Sequence, residues 1–292
     1  MEYILHLLIL AGIYTMLAQS LNLTAGYAKI VSLSHAGFYG IGAYTAALFA
    51  INTQMPFLFV LLIAMIINLI LSFIVSFIAL RTIDAYFIFC TLALQAIILS
   101  LMNNMIFLTR GPLGISGISP IQIFKIEFDN RLLFFLLTSL FVALVFMLLN
   151  WLTKSSFGRA LISLSEDEIF TQSIGKNVKS IKIIAYTTGA TIAAIPGVLY
   201  AHYISFIDPS SFTLNESIFI LSIVIIGGMN KLWGSLFGAL ILILLPEALR
   251  FLGIPNTMAA NFRQIICGLV LLFIMYKYSM GYVEKKKWRK NG

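Results

Sequence analysis

Charge is scarce in this chain. Of 292 residues only 10% are Asp, Glu, Lys or Arg, against about 25% in an ordinary soluble domain. That shortage, with 60% hydrophobic residues and a mean hydropathy of +0.99, excludes a water-soluble globular protein. Cysteine is equally scarce: Cys90 and Cys267 each sit inside an apolar run, which argues for packing and against a disulfide framework or a metal cluster. No G-x-x-x-x-G-K-[ST] occurs, and Lys231 in Gly228-Met-Asn-Lys has the wrong spacing, so the chain lacks a P-loop for nucleotide phosphates. His6, His35 and His202 are scattered, with no H-E-x-x-H or nucleophile elbow to support an intramembrane enzyme. Neither a cofactor site nor a metal site is expected. Met1-Glu2-Tyr3 carries no basic n-region, which argues against a conventional cleavable signal peptide.

What the chain does have is long apolar runs. A helix needs roughly 20 apolar residues to cross the hydrocarbon, and in lipid only a helix or a closed barrel satisfies its own backbone. Nine spans are expected, at about 3–23, 30–50, 56–79, 84–108, 132–152, 181–204, 214–230, 233–252 and 261–278. The fold class is therefore all-α, a polytopic transmembrane bundle of about 8–10 helices forming one domain over 1–292. The seventh span is the weakest, since Gly227-Gly228 cuts short its apolar core, and it is a candidate re-entrant segment.

The net charge of +8 does not indicate nucleic acid, because the basic residues cluster in short loops and in the tail 284–290. An exterior N-terminus and interior C-terminus put Lys29, Arg81, Lys154, Arg159, Lys176, Lys179, Lys182, Lys231, Lys277 and five tail residues inside. That is 14 of 19, as positive-inside bias requires.

Residues 153–182 interrupt the apolar pattern with five basic and three acidic residues. On this topology the stretch 153–180 is a cytoplasmic loop. Ser165-Glu-Asp-Glu168 has capping-box spacing, acidic residues suit a helix N-terminus, and Gly175 suits a C-cap, so a short helix over 166–174 is expected. Such a helix is marginal alone in water. Ile169, Phe170 and Ile174 either fold back on the protein's own helix ends or fill a groove on a cytoplasmic subunit.

The span 30–50 is rich in small residues: Ala36 and Gly40, and Gly42 and Ala46, are four apart, as are Gly234 and Gly238 in span eight. Such spacing lets helices approach closely, and glycine or serine also marks broken segments that line a cavity. Candidates for a translocation path are Ser32, Ser34, His35, Gly37, Gly40, Gly42 and Tyr44, with plain packing as the alternative at each. Thr109–Pro120 is a run of turn residues.

Four blocks carry a resemblance: residues 21–47 (LNLTAGYAKIVSLSHAGFYGIGAYTAA), 108–118 (LTRGPLGISGI), Phe157-Gly-Arg-Ala-Leu161 with Glu166-Asp-Glu168 and Gly175, and 225–239 (IIGGMNKLWGSLFGA). In that order, over roughly 15–255, the chain resembles permease subunits of branched-chain amino acid ABC importers, in their LivM-like branch. The resemblance implies an importer-type permease of a bacterial plasma (inner) membrane, moving branched-chain or other amino acids by alternating access. It implies as partners cytoplasmic ABC ATPases, a second related permease, an extracytoplasmic solute-binding protein and membrane lipid. The ATPases would dock on Gly158, Arg159, Ala160, Glu166, Asp167, Glu168 and Gly175. Two departures stand out: Phe170, Thr171 and Gln172 are bulkier than the family's usual small residues, and Lys29 stands where a neutral polar residue is common. The alternative function is an ion-gradient-driven secondary transporter, for which buried ionisable residues are few. Arg81 with Asp84, Glu247 with Arg250, His35 and Gln95 are the candidates.

Overall fold

The computed structural model describes residues 2–53, 55–79, 84–123, 126–251 and 265, 268 and 269. Helix α1 (Glu2–Leu21) runs directly into a π-helix (Asn22–Tyr27), and an irregular linker leads to α2 (His35–Asn52). Next come α3 (Phe57–Ala79), α4 (Asp84–Asn104), the short α5 (Ile106–Thr109), a 3-10 turn (Gly111–Leu113), β1 (Ile115–Ser116), β2 (Gln122–Ile123) and β3 (Ile126–Glu127). The second half holds α6 (Arg131–Lys154), α7 (Ser156–Glu166), α8 (Glu168–Ser173), α9 (Val178–Ile192), α10 (Ala194–Ile204) and β4 (Phe206–Ile207). A 3-10 turn (Pro209–Phe212) leads to α11 (Leu214–Gly227) and α12 (Leu232–Phe251). The strands are minor: β1 pairs antiparallel with β4, Ile115 opposite Ile207, and β2 with β3, Gln122 opposite Glu127.

Among the described residues five helical stretches are long and apolar enough to cross a membrane: 2–27, 57–79, 86–104, 131–154 and 178–204. They correspond to the first, third, fourth, fifth and sixth expected spans. The second is α2, a core helix packed against α1, α3, α4, α9, α10 and α11. The seventh and eighth form a bent pair, α11 and α12, which turn by 119° across their break. Fourteen residues rise about 21 Å, short of a hydrocarbon core of roughly 30 Å, so α11 does not cross alone. The expected span 261–278 lies almost wholly outside the described residues, as do Cys267 and the basic tail. The suggested Arg81–Asp84 and Glu247–Arg250 pairs each involve a side chain outside them, and Glu247 accepts a hydrogen bond from the Tyr3 hydroxyl.

Lipid is as apolar as leucine, so helices in it associate through close packing and hydrogen bonds. Helix α3 shows this directly. Leu58, Leu62, Ile66, Ile70, Phe73 and Phe77 are exposed on one side, while the small Ala64, Ser72 and Ser76 are buried on the other with Asn68. Asn68 Nδ2 donates to the Phe38 carbonyl of α2 at 2.9 Å. Close packing also joins α2 to α10: a Cβ on Gly42 would meet the Ala194 main chain, and one on Gly197 the Tyr39 carbonyl. The Gly234–Gly238 pair works in the same way, pressing α12 onto the Gly227 and Ile223 carbonyls of α11. The break between α9 and α10 at Ala193 has a local cause in Pro196, which has no N–H to give the Ile192 carbonyl.

Candidate functional site

Two regions hold the residues singled out in the sequence, and they differ in kind. The first is the α7–α8 hairpin. Ser155 caps α7, its Oγ accepting from the amides of Phe157 at 3.2 Å and Gly158 at 3.4 Å. Gly158 is buried where a Cβ would strike the Thr153 carbonyl at the end of α6, so only glycine fits this turn. Gly158, Leu161 and Leu164 form the buried face of α7, leaving Arg159, Ile162 and Glu166 exposed and Ala160 partly buried against the core. Arg159 bonds within its own turn, to the Ser156 hydroxyl at 2.9 Å and the Lys154 carbonyl at 3.3 Å.

The expected helix over 166–174 is shortened to α8 (Glu168–Ser173), and Glu166 instead closes a preceding helix, α7, that was not expected, with the break at Asp167. The Ser165 capping box does not form. Ser165 Oγ donates back to the Ile162 carbonyl at 2.9 Å, and Asp167 takes the cap instead, its Oδ1 accepting from Phe170 N at 3.0 Å. Three consecutive acidic residues offered competing caps, and the extended Asp167 (φ −153°, ψ 109°) fits the non-helical cap position. Gly175 ends α8 with φ +78°, the left-handed conformation of a glycine C-cap. Lys176 N then reaches back to the Thr171 carbonyl at 3.3 Å.

Three ties hold the α7–α8 hairpin together and to the bundle. Glu168 pairs with Lys182 of α9 at 2.8 Å, and Lys182 is itself buried. Thr171 Oγ1 donates to the Asp167 carbonyl at 2.8 Å, so the Ser163 hydroxyl, 2.9 Å away, donates to Thr171. Lys29 Nζ donates to the Ser165 carbonyl in the last turn of α7, which accounts for a cation at that position. Ile169, Phe170 and Ile174 remain 81, 58 and 53% exposed, so they do not fold back on the protein's own helix ends.

The second region is the start of α2. No side chain of its own caps this helix. Instead Ser217 Oγ of α11 accepts from Ala36 N at 3.0 Å, and Gln95 Oε1 of α4 accepts from Gly37 N at 2.8 Å. Gln95 Nε2 in turn donates to the Phe212 carbonyl at 2.7 Å. His35 Nε2 lies 2.7 Å from Ser20 Oγ of α1, Ser34 Oγ lies 2.9 Å from the Tyr186 hydroxyl of α9 and 3.0 Å from Ser32 Oγ, and Leu33 N donates to Thr91 Oγ1 at 3.2 Å. Four elements thus supply the partners for one helix start. Ser32, Ser34, His35, Gly37, Gly40 and Gly42 are all buried. Gly37 lies against Ile98 and Gln95, Gly40 against Phe212 and Met102, and Gly42 against α10. Tyr44 is also buried, edge-on to Phe212 at 5.9 Å between ring centres.

The residues missed by sequence reasoning are the distant partners: Lys29, Lys182 and Ser163 at the hairpin, and Ser20, Thr91, Tyr186 and Ser217 at α2. Asn22 belongs with them. From the π-helix it donates to the Lys231 carbonyl and Ser235 Oγ, each at 3.0 Å, and accepts from Asn230 N at 3.1 Å, pinning the α11–α12 turn. The π-helix is the one local sign of that site, since such bulges concentrate where function needs an irregular helix.

A family model described as branched-chain amino acid transport system / permease component matches residues 3–275. The chain belongs to this family. It is 33% identical over 264 residues to the high-affinity branched-chain amino acid transport system permease protein LivM of Escherichia coli K12, covering 82% of this chain and 62% of that one. The LivM protein of Salmonella typhimurium LT2 is 32% identical over 261 residues, covering 82% and 61%. A probable branched-chain amino acid transport permease protein LivM of Methanocaldococcus jannaschii is 28% identical over 157 residues, covering 50% and 45%. The match thus spans less than two thirds of the length of each of these relatives. Membership places the chain in a multi-pass membrane permease family, in keeping with its apolar helices.

Proposed function

We propose that this chain is the permease half of an ATP-driven importer of branched-chain or related amino acids in a bacterial plasma membrane. It pairs with a second permease, receives solute from a binding protein outside, and is driven by ATPases bound to the α7–α8 hairpin. One observation carries the reading: the hairpin exposes Ile169, Phe170 and Ile174 beside Glu166 and Asp167 while being tied to the bundle through Lys29 and Lys182. An apolar row on a short, braced helix is the form a groove on another protein accepts. The ties give a pull on that helix a route to α9 and to the α1–α2 linker, and so to the irregular start of α2.

The sidedness follows the same logic. Lys29, Lys182 and Lys231 meet the hairpin or the Asn22 turn, while Arg131 begins α6 at the opposite end of the bundle. With the hairpin inside, the N-terminus lies outside and the positive-inside bias is met.

Replacing Ile169 with Asp tests the docking face. In co-purification with the ATPase subunits, retention is expected to fall at least about tenfold, with thermal stability unchanged to within about 0.5 kcal/mol because the side chain is exposed. Full retention and ATP-driven uptake by Ile169→Asp would remove the hairpin from the reading.

A further inference from the structure

At the end of the bundle away from α7–α8, His6 of α1, the first turn of α6, the end of α10 and the loop residues Pro120, Phe128 and Asp129 line a cavity of about 310 Å³. Its lining is unusual for this protein: His6, Asp129, Arg131, His202 and Tyr203 share it with Phe134. The volume lies at the lower end of small-molecule sites, about 300–1,000 Å³.

His202 is the informative group. It is 9% exposed, and its Nδ1 lies 2.8 Å from the Ser119 carbonyl. A carbonyl only accepts, so Nδ1 carries the hydrogen, and in the neutral ring Nε2 is left as a bare acceptor. That Nε2 is buried and has no hydrogen-bond partner among the described residues. A buried polar atom without a partner costs about 1–3 kcal/mol, which a ligand donor would recover. The ring is held rigidly, edge-on to Phe57 at 5.9 Å between centres as well as anchored to Ser119.

The rest of the cavity supplies the complementary charges. Arg131 gives one N–H to Glu2 at 3.1 Å in an exposed pair, and a guanidinium has five donors, enough for a second carboxylate. Asp129, two residues before Arg131, brings a carboxylate to the same lining. His6 Nδ1 and the Tyr203 hydroxyl, 2.6 Å apart, fix one wall, and Tyr203 packs on Phe134 at 4.9 Å between centres.

We propose that this cavity recognises the head group of a zwitterionic amino acid, with His202 Nε2 and Asp129 receiving the ammonium, Arg131 the carboxylate, and Phe134 the start of the side chain. The site rests on the importer reading above, which puts this end of the bundle outside, where solute arrives. An ammonium and an anion a few atoms apart also occur in a phosphoethanolamine lipid head group, and the test separates the two.

The complete permease–ATPase assembly is placed in nanodiscs free of ethanolamine lipid, and binding of radiolabelled L-leucine is measured without the binding protein. Saturable binding is expected, with 3-methylbutylamine (no carboxylate) and 4-methylpentanoate (no ammonium) each competing at least about tenfold more weakly than leucine. His202→Asn keeps an N–H for Ser119 and removes the Nε2 acceptor together with the ring edge on Phe57, so 4-methylpentanoate binding serves as the control for lost packing. The variant is expected to weaken leucine about tenfold while leaving 4-methylpentanoate unchanged. Arg131→Gln, at an exposed position, is expected to do the reverse, weakening leucine but not 3-methylbutylamine. The proposal is overturned by absence of saturable leucine binding to the parent assembly, by a His202→Asn variant that binds as the parent does, or by phosphoethanolamine competing better than leucine. ATP-driven uptake that continues under any of those results leaves the importer reading standing; its absence in the parent assembly, loaded with binding protein, would sink that reading instead.

Discussion

The start of α2 and the α7–α8 hairpin were both marked in the sequence by polar residues in an apolar context, yet the protein treats them in opposite ways. At α2 the polar groups are neutral, buried and partnered from four surrounding elements, so the irregular helix start is locked in place. At the hairpin the groups are charged and, apart from the buried Lys182, exposed, and the attachment runs through long lysine side chains. Neutral hydrogen bonds suit the interior, where an unpaired charge would be costly, and ion pairs suit a surface that has to meet a partner. The first region therefore reads as framework and the second, under the proposed function, as the docking face for another protein.

The same residue type probes both regions with the largest contrast. Gly42→Leu drives a side chain into the Ala194 main chain, which has no flexible end to yield. It is expected to cost more than about 3 kcal/mol and to abolish recovery of monodisperse protein from detergent extracts. Gly175→Ala meets open space and only the strain of a positive φ, about 1–2 kcal/mol, so that variant is expected to be recovered normally. Equal recovery of the two would erase the distinction.

Next in size is Gln95→Leu. It strips partners from Gly37 N and the Phe212 carbonyl together, at an expected cost of about 2–4 kcal/mol in thermal unfolding. A melting curve like the parent's would show that the cap on α2 is not structural.

The smallest effect is expected at the ion pair. Glu168→Ala removes the Glu168 carboxylate from the buried Lys182, but Glu168 is nearly half exposed and water screens the loss, so about 1–2 kcal/mol is expected. Adding Lys182→Met is expected to restore stability but not ATP-driven uptake, because the tie between α8 and α9 stays cut. Recovery of both would make Glu168 a stabilising residue with no part in coupling.

Sequence reasoning reached the first, third, fourth, fifth and sixth spans because hydropathy is local, and it reached Gly175 because a C-cap glycine acts on its own helix. The glycine pairs of α2 and α12 were legible as contact points, though not which helix each would meet. It missed the caps. Ser165 has the right spacing to Glu168, but its hydroxyl reached a nearer acceptor at Ile162, and Asp167 had the better backbone angles. For α2 no local signal existed, since Gln95 and Ser217 lie 58 and 181 residues from the amides they serve. Lys29 looked anomalous for the same reason: its acceptor, the Ser165 carbonyl, is 136 residues away.

The most direct test of the account asks which side of the membrane the hairpin faces, and what covers it. A cysteine placed at the exposed Gln172, with Cys90 and Cys267 replaced, is exposed to a membrane-impermeant maleimide in intact cells and in inside-out vesicles. The account predicts labelling in the vesicles alone, suppressed when the ATPase subunits are bound. Labelling in intact cells, or vesicle labelling that bound ATPases leave unchanged, would contradict it.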